Sequence, residues 1–253
     1  MGSLVGKRAL VTGAEQGIGK AAAEGLLEAG CDIAIHYFLG DEGPKELVAL
    51  AEKLGRKASY FQADLTDENA AVAMVKQSTS FLGGLDVLVN NVGGLVERRL
   101  LDDLDMALWQ KVIDINMTSM MLVTREAAPH LAKAGGASVV NLSSLAGRKG
   151  GHPGSLVYSL TKGAILTFTR ALSNELGPRG IRVNAVAPGL ILGTRFHNTH
   201  TTKESADETI KGIPLGRAGD VYDIARPIVF LASEYDGFIT GETIDINGGV
   251  YCA

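Results

Sequence analysis

The chain has 253 residues, 46% of them hydrophobic, with 24 basic residues against 28 acidic ones and a net charge of −4. That is enough apolar material for one large core, and no long basic run marks a nucleic-acid surface. No apolar run reaches bilayer length and no charged, apolar, small-residue leader opens the chain, so a soluble cytoplasmic protein with no membrane partner is expected.

In chain order, short β-branched runs at 8–12 (RALVT), 32–37 (DIAIHY), 58–62 (ASYFQ), 87–90 (VLVN), 138–142 (SVVNL), 182–187 (RVNAVA) and 242–246 (ETIDI) read as seven strands. Helical stretches separate them at 20–29, 44–54, 68–81, 103–133, 157–176 and 221–233. Strands alternating with helices predict an α/β fold, a doubly wound parallel sheet covered on both faces. The alternation runs end to end, so one domain over 1–253 is expected. Residues 190–215 break the rhythm with a polar segment bounded by Gly193 and by Gly212 and Pro214. A long interruption in a compact domain is usually functional, and a substrate lid is the reading. Cys31 and Cys252 form no CxxC and read as inert thiols.

The first strand runs into Thr12-Gly13-Ala14-Glu15-Gln16-Gly17-Ile18-Gly19, and a helix pattern follows at once. Glycines let the backbone approach a phosphate closely, and the helix N-terminus offers free N–H groups. A dinucleotide is the ligand such a turn predicts, although the spacing is not the common G-x-G-x-x-G. The second strand ends His36-Tyr37-Phe38, with neither an acid for ribose hydroxyls nor a cation for a 2′-phosphate. With no carboxylate there to repel that phosphate, the choice leans to NADP over NAD.

Asn90-Asn91-Val92-Gly93 closes the fourth strand, Asn116 lies in a helical stretch, and Ser143-Ser144 follows the fifth strand. Tyr158 and Lys162 come next, one helical turn apart, and Pro188-Gly189 closes the sixth strand. This set, in this order, resembles the compact one-domain branch of the short-chain dehydrogenase/reductase family, from Lys7 to Gly249. The resemblance implies a Rossmann fold and hydride transfer between a nicotinamide and a carbonyl or secondary alcohol. It makes Tyr158 the acid/base and gives Lys162 two tasks, binding the nicotinamide ribose and lowering the tyrosine pKa. Ser144, with Ser143 as fallback, would bond the substrate oxygen, and Asn116 would hold a water that links Lys162 to solvent. For the cofactor it implies Gly13, Gln16, Gly17, Ile18, Gly19, Tyr37, Asp64, Leu65, Asn91, Gly93, Pro188, Gly189 and Ile191, besides Tyr158 and Lys162. A homotetramer is the implied assembly, packed through 103–133 and 157–176, where Trp109 reads as packed.

A phenol with a pKa near ~10 is a poor proton donor at neutral pH unless nearby positive charge favours the phenolate. The chain departs from the family pattern in three places. One extra residue stands between Ser144 and Tyr158, Val92 replaces the usual alanine, and Thr194 is displaced by one. Arg148, Lys149 and His152 read as anion contacts or as a solvated turn. His197 and His200 read as polar lid residues, with no metal expected. A sugar or sugar acid suits the polar lid best, a 3-oxoacyl thioester on a carrier protein is the alternative, and a steroid-like alcohol fits worst. A non-catalytic dinucleotide sensor would be expected to have lost Tyr158, Lys162 or Ser144, and all three are present.

Overall fold

The computed structural model describes residues 4–233 and 237–252, the side chains of 196–198 apart. β1 (Arg8–Val11), β2 (Asp32–Tyr37), β3 (Ala58–Gln62), β4 (Val87–Asn90), β5 (Ala137–Leu142), β6 (Ile181–Pro188) and β7 (Thr243–Ile246) lie in the order β3-β2-β1-β4-β5-β6-β7. Every pairing is parallel, with Leu10 of β1 between Ala34 and Leu88. β4 and β5 are buried at every residue, which is why these runs show no polar alternation.

Helices α1 (Gly17–Glu28), α2 (Glu42–Lys53) and α10 (Val221–Ala232) cover one face. Their Leu26, Leu47 and Ile228 share a core with Val11, Ile33 and Val186. On the other face lie α3 (Glu68–Leu82), α5 (Ser119–Ala132) and α7 (Leu156–Leu176), where Met74, Val123 and Leu176 pack with Leu10, Leu88 and Val139. A buried polar chain anchors this second layer. Asn90 Nδ2 donates to Thr124 Oγ1 and to Asn141 Oδ1, both at 2.9 Å, and Asn141 Nδ2 donates to Thr169 Oγ1 at 3.0 Å. The chain joins β4, β5, α5 and α7 and fixes how α7 sits over the sheet.

The single helix expected over 103–133 is broken. A 3₁₀ turn occupies Leu101–Asp103, then α4 (Met106–Ile113), a π turn over Asp114–Thr118, and α5. Asn116 explains the widened turn. Its Nδ2 donates at 2.9 Å to the Val112 carbonyl, the acceptor that a regular helix would give to the Asn116 backbone N–H. Short α6 (Leu145–Lys149) follows β5, and the 190–215 segment folds as α8 (Arg195–His200) and α9 (Lys203–Lys211).

The chain leaves β1 toward β2 on one side and returns as β4 on the other. That reversal opens a crevice at the C-terminal ends of the strands. The glycine turn, Asn91–Gly93, Ser143-Ser144 and Pro188-Gly189 all follow strands at this edge.

Candidate active site

The turn after β1 is clamped by its neighbours. Gly13 donates its N–H to His36 Nδ1 at 3.0 Å, and His36 Nε2 stands 3.1 Å from the Ala63 carbonyl. The imidazole therefore carries its proton on Nε2 and ties together the ends of β1, β2 and β3. Burial pushes its pKa down to about 4, so it is neutral at pH 7. Sequence reasoning missed this residue; its only signal was a histidine at the end of an apolar strand.

Asn91 Nδ2 donates to the carbonyls of Thr12 and Gly13 at 3.0 and 2.8 Å, so its amide serves the turn although Asn91 also lines the crevice. Gly17 has a left-handed φ of 58°, and a Cβ on Gly19 would strike the Gly13 carbonyl oxygen. Helix α1 opens at Gln16 with no side-chain cap, whereas Asp67, Asp105, Thr202 and Asp220 cap α3, α4, α9 and α10. Uncapped first-turn N–H groups facing a crevice suit an anion such as a pyrophosphate.

Gly13, Gln16, Gly17, Ile18, Asp64 and Leu65 line this end of the crevice. Tyr37 does not. Successive strand residues point to opposite faces, so His36 and Phe38 reach the crevice while Tyr37 meets Tyr60 edge-on at 5.7 Å. Gly19 also lies off the crevice wall, against the turn.

Tyr158 and Lys162 occupy the first two turns of α7, with Lys162 only 3% exposed. Ser144, at the start of α6, hydrogen-bonds the Tyr158 hydroxyl. Its Oγ also accepts from the Ala146 N–H at 3.1 Å, which fixes the rotamer. Ser143 points elsewhere, donating at 2.7 Å to the Lys162 carbonyl. The geometry thus separates the adjacent serines.

Burial raises the Tyr158 pKa to about 12, with the Ser144 hydrogen bond pulling the other way. Burial also lowers Lys162 to about 7. The expected lowering of the tyrosine by Lys162 is not seen in this arrangement. The Lys162 Nζ donates to the Leu142 carbonyl at 2.7 Å and stands 5.8 Å from the phenol ring centre, and its own charge is disfavoured.

Asn116 is fully buried and lies behind the crevice wall. Its Nδ2 bonds the Gly94 carbonyl at 2.8 Å as well as that of Val112, and its Oδ1 accepts the Gly94 N–H at 3.1 Å. Asn116 Oδ1 and Lys162 Nζ flank one point, 2.7 and 2.8 Å from where a Gly93 Cβ would stand. Glycine at 93 leaves that point open.

Ser144, Tyr158 and Lys162 meet the glycine turn in one cleft of about 1650 Å³. Pro188, Gly189 and buried Ile191 line it beside the catalytic candidates. The 190–215 segment lines it with hydroxyls, including Thr194, Thr199, Thr202, Ser205 and Thr209. Lys149, His152 and His200 line the cleft too. Arg148 does not, because it faces the other side of α6. Its Nε donates to Asp245 at 3.1 Å and its guanidinium reaches the Thr243 carbonyl. The side chain of His197 lies outside the described residues. Trp109 is half-buried. Among the described residues no group of His, Cys, Asp and Glu is arranged to hold a metal, and no helix is long and apolar enough to cross a membrane.

Comparison with known proteins agrees with this architecture. A family model described as enoyl-(acyl carrier protein) reductase matches residues 13–251. A 3-oxoacyl-[acyl-carrier-protein] reductase of Staphylococcus aureus is 37% identical over 245 residues, 97% of this chain and 98% of the relative. Two solved structures superpose closely. A short-chain dehydrogenase/reductase mutant of Serratia marcescens has a TM-score of 0.91 and 29% identity, covering 98% of this chain and 99% of its own. An NADH-dependent reductase responsible for alginate metabolism has a TM-score of 0.90 and 34% identity, covering 99% of each chain. The chain belongs to the short-chain dehydrogenase/reductase family, and its reaction class is NAD(P)-dependent oxidoreduction.

Proposed function

We propose that this enzyme interconverts the carbonyl and alcohol forms of a small, polar, sugar-derived compound, with Tyr158 as the acid/base. The observation that carries this reading is the Tyr158–Ser144 hydrogen bond in the cleft, with Lys162 one turn along α7. A nicotinamide dinucleotide, held by Gly13, Gln16, Gly17, Ile18, Asp64, Leu65, Gly93, Pro188, Gly189 and Ile191, would supply or accept the hydride.

The chain's own residues handle the substrate oxygen and the proton. Ser144 donates to the oxygen as negative charge grows on it, a contribution of roughly 3 kcal/mol in comparable sites. Tyr158 gives up its phenolic proton to that oxygen. Lys162 and Asn116, flanking the open point beside Gly93, hold the water through which the proton is replaced. The uncharged ground state of Tyr158, raised to about 12 by burial, is the proton-donating form that carbonyl reduction requires.

For the cofactor, the fold adds a carboxylate that the strand ends lack. Glu15 lines the cleft from the glycine turn; its Oε2 is buried with no hydrogen-bond partner. No lysine or arginine lines the cleft between residues 13 and 66. A 2′-phosphate there would meet Glu15 and find no cation on those elements; the cation nearest to Glu15 in effect is Arg195 of the 190–215 segment, whose charge Glu15 itself engages. This moves the preference toward NADH, as in the NADH-dependent relative. A kcat/KM at least tenfold higher with NADH than with NADPH is expected, and the reverse ratio would overturn that preference.

The hydroxyl-rich 190–215 segment acts in this reading as a lid for a hydroxylated substrate. A 3-oxoacyl thioester is the second reading, favoured by the 37% identity to the 3-oxoacyl-[acyl-carrier-protein] reductase. Following NADH oxidation with keto-gluconates and with an acetoacetyl thioester separates the two. Faster turnover of the thioester would replace the first reading by the second. The same proposal includes a homotetramer, supported by exposed apolar side chains on α4 and α7, and a cytoplasmic setting, which unpaired Cys31 and Cys252 suit.

A further inference from the structure

The loop after β4 contains the one residue outside glycine with a left-handed backbone among the described residues. Val96 has φ 67°, and the Glu97 N–H bonds the Leu95 carbonyl at 2.9 Å across it. This is a γ-turn of the uncommon, strained hand, and a β-branched residue is among the least suited to it. Strain of this kind persists where surrounding structure enforces it, and it concentrates at ligand clamps. Val96 itself lines the cleft.

Two residues on, the turn delivers Arg98. Its Nη1 donates to the Pro153 carbonyl at 3.3 Å and its Nη2 to the His200 carbonyl at 3.5 Å. The backbone beside it is bound as well, with the Arg99 N–H on the Gly154 carbonyl at 3.1 Å. Arg98 thus sits where three pieces of the cleft wall meet: the β4 loop, the loop ahead of Tyr158, and the end of α8.

The charges around it are unusual for this chain. Overall the protein is acidic, with net charge −4. Among the described residues, six of its twelve arginines stand beside a carboxylate: Arg8 by Asp86, Arg99 by Glu97, Arg125 by Glu68, Arg148 by Asp245, and Arg217 and Arg226 by Asp223. Arg98 has no carboxylate partner among the described residues, and neither does Lys149, which lines the same cleft from the end of α6. His152 adds a further donor there. Lys111 and Arg195 line the cleft as well, Arg195 acting on Glu15, but Arg98 is the cation placed by a strained turn, and it and Lys149 stand on either side of the loop ahead of Tyr158. Planar guanidinium and mobile ammonium together suit a carboxylate.

We propose that Arg98 and Lys149 bind the carboxylate of an acidic carbonyl substrate and hold its keto group at Tyr158 and Ser144. This rests on the polar-carbonyl reading above and narrows it to a keto acid. In that role the Val96 turn sets the height of Arg98 over the cleft. The contact of Arg98 with the His200 carbonyl makes α8 part of the same clamp.

The test uses the full-length enzyme with NADH and six probes: 2-keto-gluconate, 5-keto-gluconate, the methyl ester of each, fructose 6-phosphate and fructose. The expected result is a kcat/KM roughly tenfold to hundredfold higher for a free acid than for its ester, the range one or two charge-assisted hydrogen bonds confer. The excess should reside in KM and shrink as salt is added. Lys149→Gln, at an exposed position with no partner to lose, should reduce the acid-to-ester ratio several-fold. Arg98→Gln should bring it close to one, and Arg98→Lys should restore part of it, with NADH affinity measured by fluorescence as the check on folding. Equal turnover of acids and esters by the unaltered enzyme would overturn this inference and leave the proposed function standing. Charge selectivity seen only for fructose 6-phosphate over fructose would overturn the carboxylate assignment in favour of a phosphate. No turnover of any probe by an enzyme that binds NADH would overturn the polar-carbonyl reading and the inference with it.

Discussion

Tyr158 and His36 both owe their protonation state to burial, and the two make different predictions. Burial keeps the phenol protonated to about 12, so its proton reaches a substrate oxygen only through the contact that Ser144 also makes. Tyr158→Phe keeps the ring and removes that proton. Its kcat should fall by roughly 10²–10⁴-fold, the usual contribution of a positioned acid/base. NADH affinity, read by fluorescence titration, should change little, and an unchanged kcat would exclude the assigned role. His36 is held neutral down to about 4, against an ordinary value of 6.5. The unfolded chain therefore takes up a proton below pH 6.5 that the fold refuses until about pH 4. The stability from neutral His36 is full above pH 6.5 and is lost as pH falls through that window, by up to about 3 kcal/mol. Melting temperatures from pH 7 to pH 4 should drop more steeply for the natural protein than for His36→Gln. Parallel curves would show that the histidine does not govern acid sensitivity.

At the scale of elements, α7 matters because it carries both Tyr158 and Lys162. Apolar packing lets a helix slide; the Asn90–Asn141–Thr169 chain restricts sliding, since each bond is directional and buried. Asn141→Ala leaves the Asn90 amide and the Thr169 hydroxyl each short of a partner. A loss of about 1–3 kcal/mol per stranded group is expected, read as a lower denaturant midpoint, with kcat reduced because α7 is less firmly placed. A stability loss with kcat intact would separate the network from positioning. This network was not legible in the sequence, because contacts between β4, β5 and α7 join residues 28 to 51 apart. What was legible had a short physical range. Strand and helix periodicity gave seven strands and a parallel sheet, and the spacing of Tyr158 and Lys162 put them on one helix face. The π turn at Asn116 was hidden because one side chain competing for one carbonyl leaves no mark on periodicity. Arg148 was misplaced for a similar reason. Adjacent residues of α6 diverge, and only the fold shows that Asp245 waits on one side and the cleft on the other.

For the whole molecule, the question is what covers the apolar side chains the fold leaves outside. Six of them fall into two groups. Leu101, Met106, Leu156 and Leu160 lie on or beside α4 and α7, and Phe230 and Phe238 lie on and after α10, ahead of the edge strand β7. Phe238 has no cover at all, with its full surface accessible. Two separate patches on one chain, each joined to its own copy by a two-fold axis, would close into a tetramer. One patch alone would give a dimer that still exposes the other. Sedimentation at micromolar concentration should therefore give four times the 26.5 kDa chain mass. Phe238→Glu would place a charge in one of the proposed interfaces, where burial without a partner is costly, and should leave dimers joined through α4 and α7. Met106→Glu with Leu160→Glu should leave dimers of the other kind, and the triple variant monomers. In the proposed assembly α7 would tie assembly to activity, because the helix that presents Leu156 and Leu160 outward presents Tyr158 and Lys162 to the cleft. Breaking the α4–α7 interface should then lower kcat, whereas breaking the Phe238 interface should lower it less. A natural protein that sediments as a monomer with NADH bound would refute this assembly, and equal activity of both dimers would refute its coupling to the site.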